Sequence, residues 1–207
     1  MRLFLTLTLI IAATLPALAR PVSYPGGWTL ILQNDIDTNS ALLHYSPTAT
    51  YSIGLRHEYL RQPGANADTA QLNYLLKRWN GDASQANAYI KSGFGVAYDS
   101  DQIEPIAFTG FTLDWENRRY STSYENRFFT AGDITQYVKH EARIGIAPYI
   151  GDYGDIHTWL ILQADYDAGE QDSFSATPLI RLFKGPDRLE AGYNLDNGVL
   201  LNYTHRF

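Results

Sequence analysis

The sequence predicts an all-β protein, a single domain of about 12 strands, from three observations. Apolar and polar residues alternate with a period of two along many short segments. Clusters of Gly, Pro, Asn and Asp separate these segments at short intervals. Aromatic residues make up 14% of the chain and stand near the ends of many segments. The length of 207 residues, without a linker or a low-complexity segment, fits one domain.

The first 19 residues have the pattern of a cleaved secretory signal peptide. Arg2 supplies a minimal positive charge, residues 3–15 are apolar apart from threonines, and Ala17-Leu18-Ala19 matches an A-x-A cleavage site. A transmembrane helix needs about 20 apolar residues, which is more than this segment offers. We therefore expect a signal peptide over 1–19 and a mature domain over 20–207. The full chain has a net charge of −6, and the mature domain, which lacks Arg2, has a net charge of −7.

The strands follow in chain order after this segment. The first six are predicted at 27–35, 40–46, 50–60, 69–79, 85–98 and 104–115. Turn signals between them stand at Ser46-Pro47-Thr48, Pro63-Gly64 and Asn80-Gly81. The segment 67–80 also fits one face of a helix, but Asn80-Gly81 is a strong hairpin signal and favours a strand. If 27–46 is one irregular hairpin, the strand number falls to about ten.

The second half of the chain shows the alternation most clearly. Its predicted strands are 118–129, 136–146, 156–166, 173–183, 188–195 and 198–207. Turn signals stand at Ala131-Gly132-Asp133, Gly185-Pro186 and Asn197-Gly198. In the last strand, Val, Leu, Tyr, His and Phe occupy alternate positions from 199 to 207 and therefore share one face.

Alternation alone fits either a soluble sandwich or a transmembrane barrel, which turns its apolar face to lipid and its polar face to the lumen. Charged residues in the middles of the polar faces, aromatic residues near strand ends, and a chain that finishes on Phe207 favour the barrel. The residues predicted to line the lumen are Arg56, Glu58, Lys91, Arg119, Glu125, Arg127, Lys139, Glu141, Arg143 and Arg181, with Lys77, Asp114, Asp165, Glu190 and Arg206 also assigned there. A secreted sandwich is the alternative, and it would partition with the soluble fraction.

The C-terminal motif Leu201-x-Tyr203-x-His205-x-Phe207 resembles the assembly signal of bacterial outer-membrane β-barrels. This resemblance implies an up-and-down barrel in the outer membrane of a Gram-negative bacterium, with Tyr203 and Phe207 read by the barrel assembly machinery. His205 departs from the usual apolar residue at its position. With an even number of strands, both termini are expected on the periplasmic side.

Alternate connections then form an acidic external mouth, in which Arg61 is the only obvious base. Its predicted acids are Asp35, Asp37, Asp99, Asp101, Asp167, Glu170 and Asp172. They serve either solvation, with divalent cations bridging to lipopolysaccharide and other outer-membrane lipids, or cation capture at a pore entrance. The lumen charges form either a mutually neutralising network or an ion-lined channel, in which Arg127 and Arg143 are the main candidates for setting ion preference.

Catalytic and cofactor motifs are sparse. The chain has no cysteine, its net charge of −6 argues against a nucleic-acid partner, and no cofactor or metal site is predicted. Asp35-x-Asp37-x-Asn39 opens like a calcium loop, but Ser40 and Ser46 stand where Gly and Glu are required.

One pair of residues could carry chemistry. His44-x-Ser46 is similar to the His-x-Ser pair of barrel lipases and lipid A deacylases, although no residue that would orient the His is evident.

From the barrel pattern and the charges of the lumen, the sequence predicts a narrow outer-membrane pore for ions or small solutes. The alternatives are a non-conducting structural or adhesion barrel that acts through its acidic loops, and a lipid hydrolase that uses His44 and Ser46.

Overall fold

In the computed structural model, which describes residues 21–152, 154–168, 173–196 and 198–207, the chain is a closed antiparallel barrel. Its 12 strands are β1 (Gly27–Asn34), β2 (Thr38–Ser46), β3 (Tyr51–Leu60), β4 (Ala65–Asn80), β5 (Ser84–Tyr98), β6 (Ile103–Asn117), β7 (Tyr120–Ala131), β8 (Thr135–Ile146), β9 (His157–Ala168), β10 (Ser173–Lys184), β11 (Asp187–Asn194) and β12 (Gly198–Arg206). Each strand pairs with its sequence neighbours, and β1 closes the barrel against β12. The predicted up-and-down barrel of 12 strands is therefore confirmed.

The described residues include no helix long and apolar enough to cross a membrane. The predicted signal peptide over 1–19 lies outside the described residues.

The segment that also fitted a helix is the 16-residue strand β4. It contains a β-bulge at Leu75–Lys77, after which Lys77 pairs with Ala88 and Arg78 with the buried Asn87. The extra residue shifts the alternation by one position, so Arg78 faces the lumen and donates from Nε to Asn87 Oδ1 at 2.7 Å. The prediction that Lys77 lines the lumen is therefore wrong, because Lys77 is exposed on the outer face.

The two faces of the sheet have the distribution expected of a membrane barrel. Leu55 and Phe94 are each 72% exposed on the outer surface, whereas Glu58 and Glu190 are 2% and 0% exposed on the inner face. Aromatic side chains such as Trp28, Trp79, Trp115 and Tyr120 are exposed on the outside, near one end of the barrel. A soluble sandwich would leave this apolar surface in water, so the structure excludes that alternative.

Both ends of the described chain meet at one rim, which we call the terminal rim; the opposite rim is the distal rim. Phe207 N donates to Trp28 O at 3.0 Å, and Tyr24 Oη donates to Phe207 O. Tyr203 and Phe207 lie on the outer face, as predicted. The polar His205 has a partner there, because its Nδ1 lies 2.7 Å from Asp187 Oδ1 and its ring packs edge-on against Phe207.

Candidate functional site: the barrel lumen

The lumen contains a cavity of about 1060 Å³. Its lining begins at Asp37 and Lys139 near the distal rim and continues to Asp114 and Glu116 near the terminal rim. An apolar cluster fills part of the remaining interior; it consists of Trp159, Ile161, Leu179, Phe183 and Leu200 of β9, β10 and β12, with Ala147 directly after β8. The open space is therefore off-centre, mainly against the walls of β2–β8.

One ion pair crosses the middle of the lumen. Arg127 of β7 donates to both carboxylate oxygens of Glu58 of β3 at 2.8 Å, although the two strands are four positions apart around the barrel. The Arg127 guanidinium lies 4.5 Å from the ring centre of Phe108 and 5.0 Å from that of Phe129. Bidentate pairing and the two rings hold Arg127 in one orientation.

Two further ion pairs lie on the same open side of the lumen as the Glu58–Arg127 pair. Lys91 Nζ lies 2.5 Å from Glu125 Oε2. Lys139 Nζ lies 2.5 Å from Asp37 Oδ2, which joins β8 to the β1–β2 turn across the distal opening. These pairs divide the open lumen without filling it.

Glu190 of β11 is the centre of a network on the packed side. Arg181 Nε lies 2.6 Å from its Oε1, and Arg143 Nη1 and Arg188 Nη1 lie 3.3 and 3.8 Å from its carboxylate oxygens. Asn202 Nδ2 donates to its Oε2 at 3.0 Å. One fully buried carboxylate is thus surrounded by three guanidinium groups.

The charges along the cavity are unevenly distributed. We call its middle section the waist; it is lined by the bases Arg56, Lys91, Arg127, Arg143, Arg181 and Arg188 and by the acids Glu58, Glu125 and Glu141. The lining towards the distal rim includes four acids, Asp35, Asp37, Asp133 and Asp167, and the base Lys139. The lining towards the terminal rim includes Asp114 and Glu116. The waist therefore has more bases than acids, and both ends of the cavity are rich in acids.

Of the ten residues named first for the lumen, nine lie on its inner face and Arg119 is the exception. Arg119 is exposed in the β6–β7 turn, where its backbone N–H donates to Asn117 Oδ1 at 2.7 Å. The prediction that Arg119 lines the lumen is wrong, because β7 begins only at Tyr120. Asn117 Oδ1 also accepts from the backbone N–H of Tyr120, and these two bonds hold residue 119 in the turn.

Four of the seven acids predicted for the external mouth lie in turns at one rim of the barrel. Asp35, Asp37, Asp99 and Asp101 lie in turns at the distal rim. Asp99 Oδ1 accepts from the backbone N–H groups of Asp101 and Gln102 at 2.8 and 3.0 Å, and these bonds hold the pKa of Asp99 below its usual range.

Asp167 is not in an external loop, because β9 extends to Ala168 and turns Asp167 towards the cavity. Glu170 and Asp172 lie outside the described residues. Among the described residues, no group of three or more potential ligands could hold a metal ion.

His44 and Ser46 share the inner face of β2 but are not hydrogen-bonded to each other. His44 is 0% exposed, and within the described chain neither ring nitrogen has a hydrogen-bond partner. Ser46 Oγ instead accepts from the backbone N–H of Ser23 at 3.0 Å. The structure therefore does not assemble a nucleophile and its base from these residues.

Ser46 belongs to a contact that the alternation did not predict. The segment Pro21–Ser23, which we call the terminal strap, folds into the barrel ahead of β1. Pro21 O accepts from Ser52 Oγ at 2.7 Å and from Asn73 Nδ2 at 3.2 Å, and Val22 is only 3% exposed. The strap therefore covers part of the lumen at the terminal rim.

We expect the variant Ser52→Ala/Asn73→Ala to have a larger single-channel conductance than the wild type. It removes both hydrogen bonds to Pro21 O, and a loss of about 2 kcal/mol would favour the detached strap by roughly 30-fold. The matched control is Thr177→Ala, a buried inward residue of β10. An unchanged conductance in a variant that folds would show that the strap does not restrict the lumen.

Comparison with known proteins gives a match in fold. No protein-family model matches the chain, and no curated protein matches its sequence. The KdgM porin and the KdgM porin in complex with disordered oligogalacturonate each align with a TM-score of 0.53 and 10% identity, covering 87% of this chain and 98% of theirs. Pseudomonas aeruginosa OccK8 (OprE) aligns with a TM-score of 0.44 and 6% identity, covering 82% of this chain and 57% of its own. The two KdgM alignments and the closed barrel of 12 strands together give this chain the fold of a porin-type β-barrel of the bacterial outer membrane.

Proposed function

We propose that the protein is a narrow outer-membrane pore that prefers small anionic solutes. The observation that carries this proposal is the waist, where six bases and three acids line one continuous cavity. The bases remain in excess when the buried Glu190, which contacts Arg143, Arg181 and Arg188, is also counted. Charge fixed on the walls of a narrow, low-dielectric passage acts strongly on a solute that enters it.

The waist acts on a solute more strongly than the acidic ends do. At the distal and terminal ends of the cavity, water and salt screen the carboxylates within about 8 Å at physiological ionic strength. At the waist a solute passes close to Arg56, Lys91 and Arg127, which face the same cavity. A porin of the same fold has been solved with oligogalacturonate, whose sugar units carry carboxylates, and this supports an anionic class of solute.

The proposal includes a location and an orientation. The segment 1–19 would direct export and then be removed, and the assembly machinery would read Tyr203 and Phe207 on the outer face. The terminal rim would face the periplasm, and the acidic distal rim would face outwards, where divalent cations could bridge it to lipopolysaccharide.

The test is planar-bilayer conductance of the mature, detergent-folded protein under a salt gradient. We expect discrete conductance steps and a reversal potential on the anion-selective side. A cation-selective reversal potential would show that the acidic ends dominate and would contradict the preferred solute class. If the protein is folded, as shown by its heat-dependent gel mobility, but gives no conductance steps, the pore is contradicted and a structural or adhesion barrel is favoured.

A further inference from the structure

We infer that the outer surface of the distal rim carries a binding site for the phosphate of a membrane lipid, with Arg61 as its central residue. This inference depends on the outer-membrane location proposed above but not on conduction through the lumen. It concerns the outer face of β1–β3, which the proposed pore does not use.

Arg61 is held in place by neutral oxygen atoms. Its Nε donates to Asp35 O at 3.2 Å, and its Nη2 donates to Asn34 Oδ1 at 3.0 Å and Asn39 Oδ1 at 3.1 Å. Within the described chain its Nη1 makes no hydrogen bond, so one edge of the exposed guanidinium remains available to a ligand. The group is thus fixed in orientation before a ligand arrives, which lowers the entropic cost of binding.

Arg61 forms no ion pair within 4 Å among the described residues, although Asp35 and Asp37 lie in the neighbouring β1–β2 turn. Asp35 Oδ1 accepts from the backbone N–H groups of Asp37 and Thr38 at 2.9 and 2.7 Å. Asp37 reaches across the opening to Lys139. His57, further down the same outer face, has its own partner, because its Nδ1 lies 2.7 Å from Asp68 Oδ1. Asp37 is therefore paired with Lys139 and Asp35 is bound by backbone N–H groups, so a base without an ion-pair partner among the described residues stands on an otherwise acidic rim.

The surface below Arg61 fits the remainder of a lipid. Tyr59 pairs with Asn39 across β2 and β3, and its ring is 37% exposed on the outer face. Below it lie Leu32, Leu43 and Leu55, which are exposed apolar residues of the outer face. A phosphate on Arg61 would place acyl chains along this apolar surface. A free phosphate ion has no acyl chains, so this apolar surface would not strengthen its binding.

The test compares lipid binding by the folded full-length mature barrel in micelles, with a chelator present so that divalent bridges cannot form. The probe is diphosphorylated lipid A, added in increasing amounts and followed by native mass spectrometry. We expect Arg61→Gln to weaken binding by about tenfold, the scale of a lost charge-assisted hydrogen bond. Arg118→Gln, an exposed arginine in the β6–β7 turn at the terminal rim, is the matched control and should bind as the wild type does.

Two further probes separate the sources of phosphate. Dephosphorylated lipid A should bind the wild type and Arg61→Gln equally weakly. Inorganic phosphate should fail to displace lipid A at matched concentration; if it binds as tightly as the lipid, the site takes free phosphate and the inference is overturned. Equal loss of binding in Arg61→Gln and Arg118→Gln would also overturn it. Conductance should be the same in Arg61→Gln and the wild type, so failure here is distinct from failure of the proposed pore.

Discussion

The variant Glu190→Gln is expected to lower the free energy of unfolding by about 3 kcal/mol. The amide keeps the shape of the side chain but removes the carboxylate that lies within 4 Å of Arg143, Arg181 and Arg188. The three guanidinium groups then repel one another in a closely packed region without the carboxylate that joined them, although Arg143 keeps Glu141 as a partner. Removing one partner of a buried pair is costly because the other charges stay buried.

Urea unfolding in detergent, followed by tryptophan fluorescence, measures this change. The matched control is Glu141→Gln, because Glu141 also lies in the lumen and is paired with Arg143, but its side chain is 28% exposed. Water can replace part of that pair, so we expect a loss of about 1 kcal/mol. If the two variants were equally stable, Glu190 would not be the centre of the packed side.

Alternation with a period of two was enough to predict the barrel and most of its lumen. Successive side chains of a strand point to opposite faces, so Glu58, Arg127 and Arg143 could be assigned to the lumen without knowing how the strands pair. Arg188 shares a face with Glu190 two positions later, so the same signal was present for it, although Arg188 was not among the predicted lumen residues. The outward position of Tyr203 and Phe207 follows from the same rule.

Other features depend on contacts between strands that alternation does not specify. The partner of Arg127 is set by the curvature and stagger of the closed barrel, because Glu58 is 69 residues away in sequence. Lys77 was assigned to the wrong face because one extra residue at the bulge shifts the register. The terminal strap has no periodic pattern, and its hydrogen bonds to Ser46, Ser52 and Asn73 exist only once β2–β4 are in place.

Neutralising the Glu58–Arg127 pair one partner at a time is expected to move ion selectivity in opposite directions. Glu58→Gln adds one positive charge to the waist and should raise the ratio of anion to cation permeability, whereas Arg127→Gln should lower it. A unit charge about 4 Å from a passing ion in water contributes about 1 kcal/mol, which corresponds to a roughly fivefold change in this ratio. Reversal potentials under a salt gradient measure both shifts, and Asp99→Asn, at the distal rim, is the control with little expected effect.

The double variant Glu58→Gln/Arg127→Gln distinguishes the effect of charge from the effect of the crossing pair. Its net charge equals that of the wild type, so its reversal potential should return close to the wild-type value. The bidentate bond across the lumen is gone, so its conductance should exceed the wild-type value. If both single variants shifted selectivity in the same direction, distortion of the lumen would explain the shifts. If the double variant differed from the wild type as much as either single variant does, the selectivity of the pore would have to come from residues outside this pair.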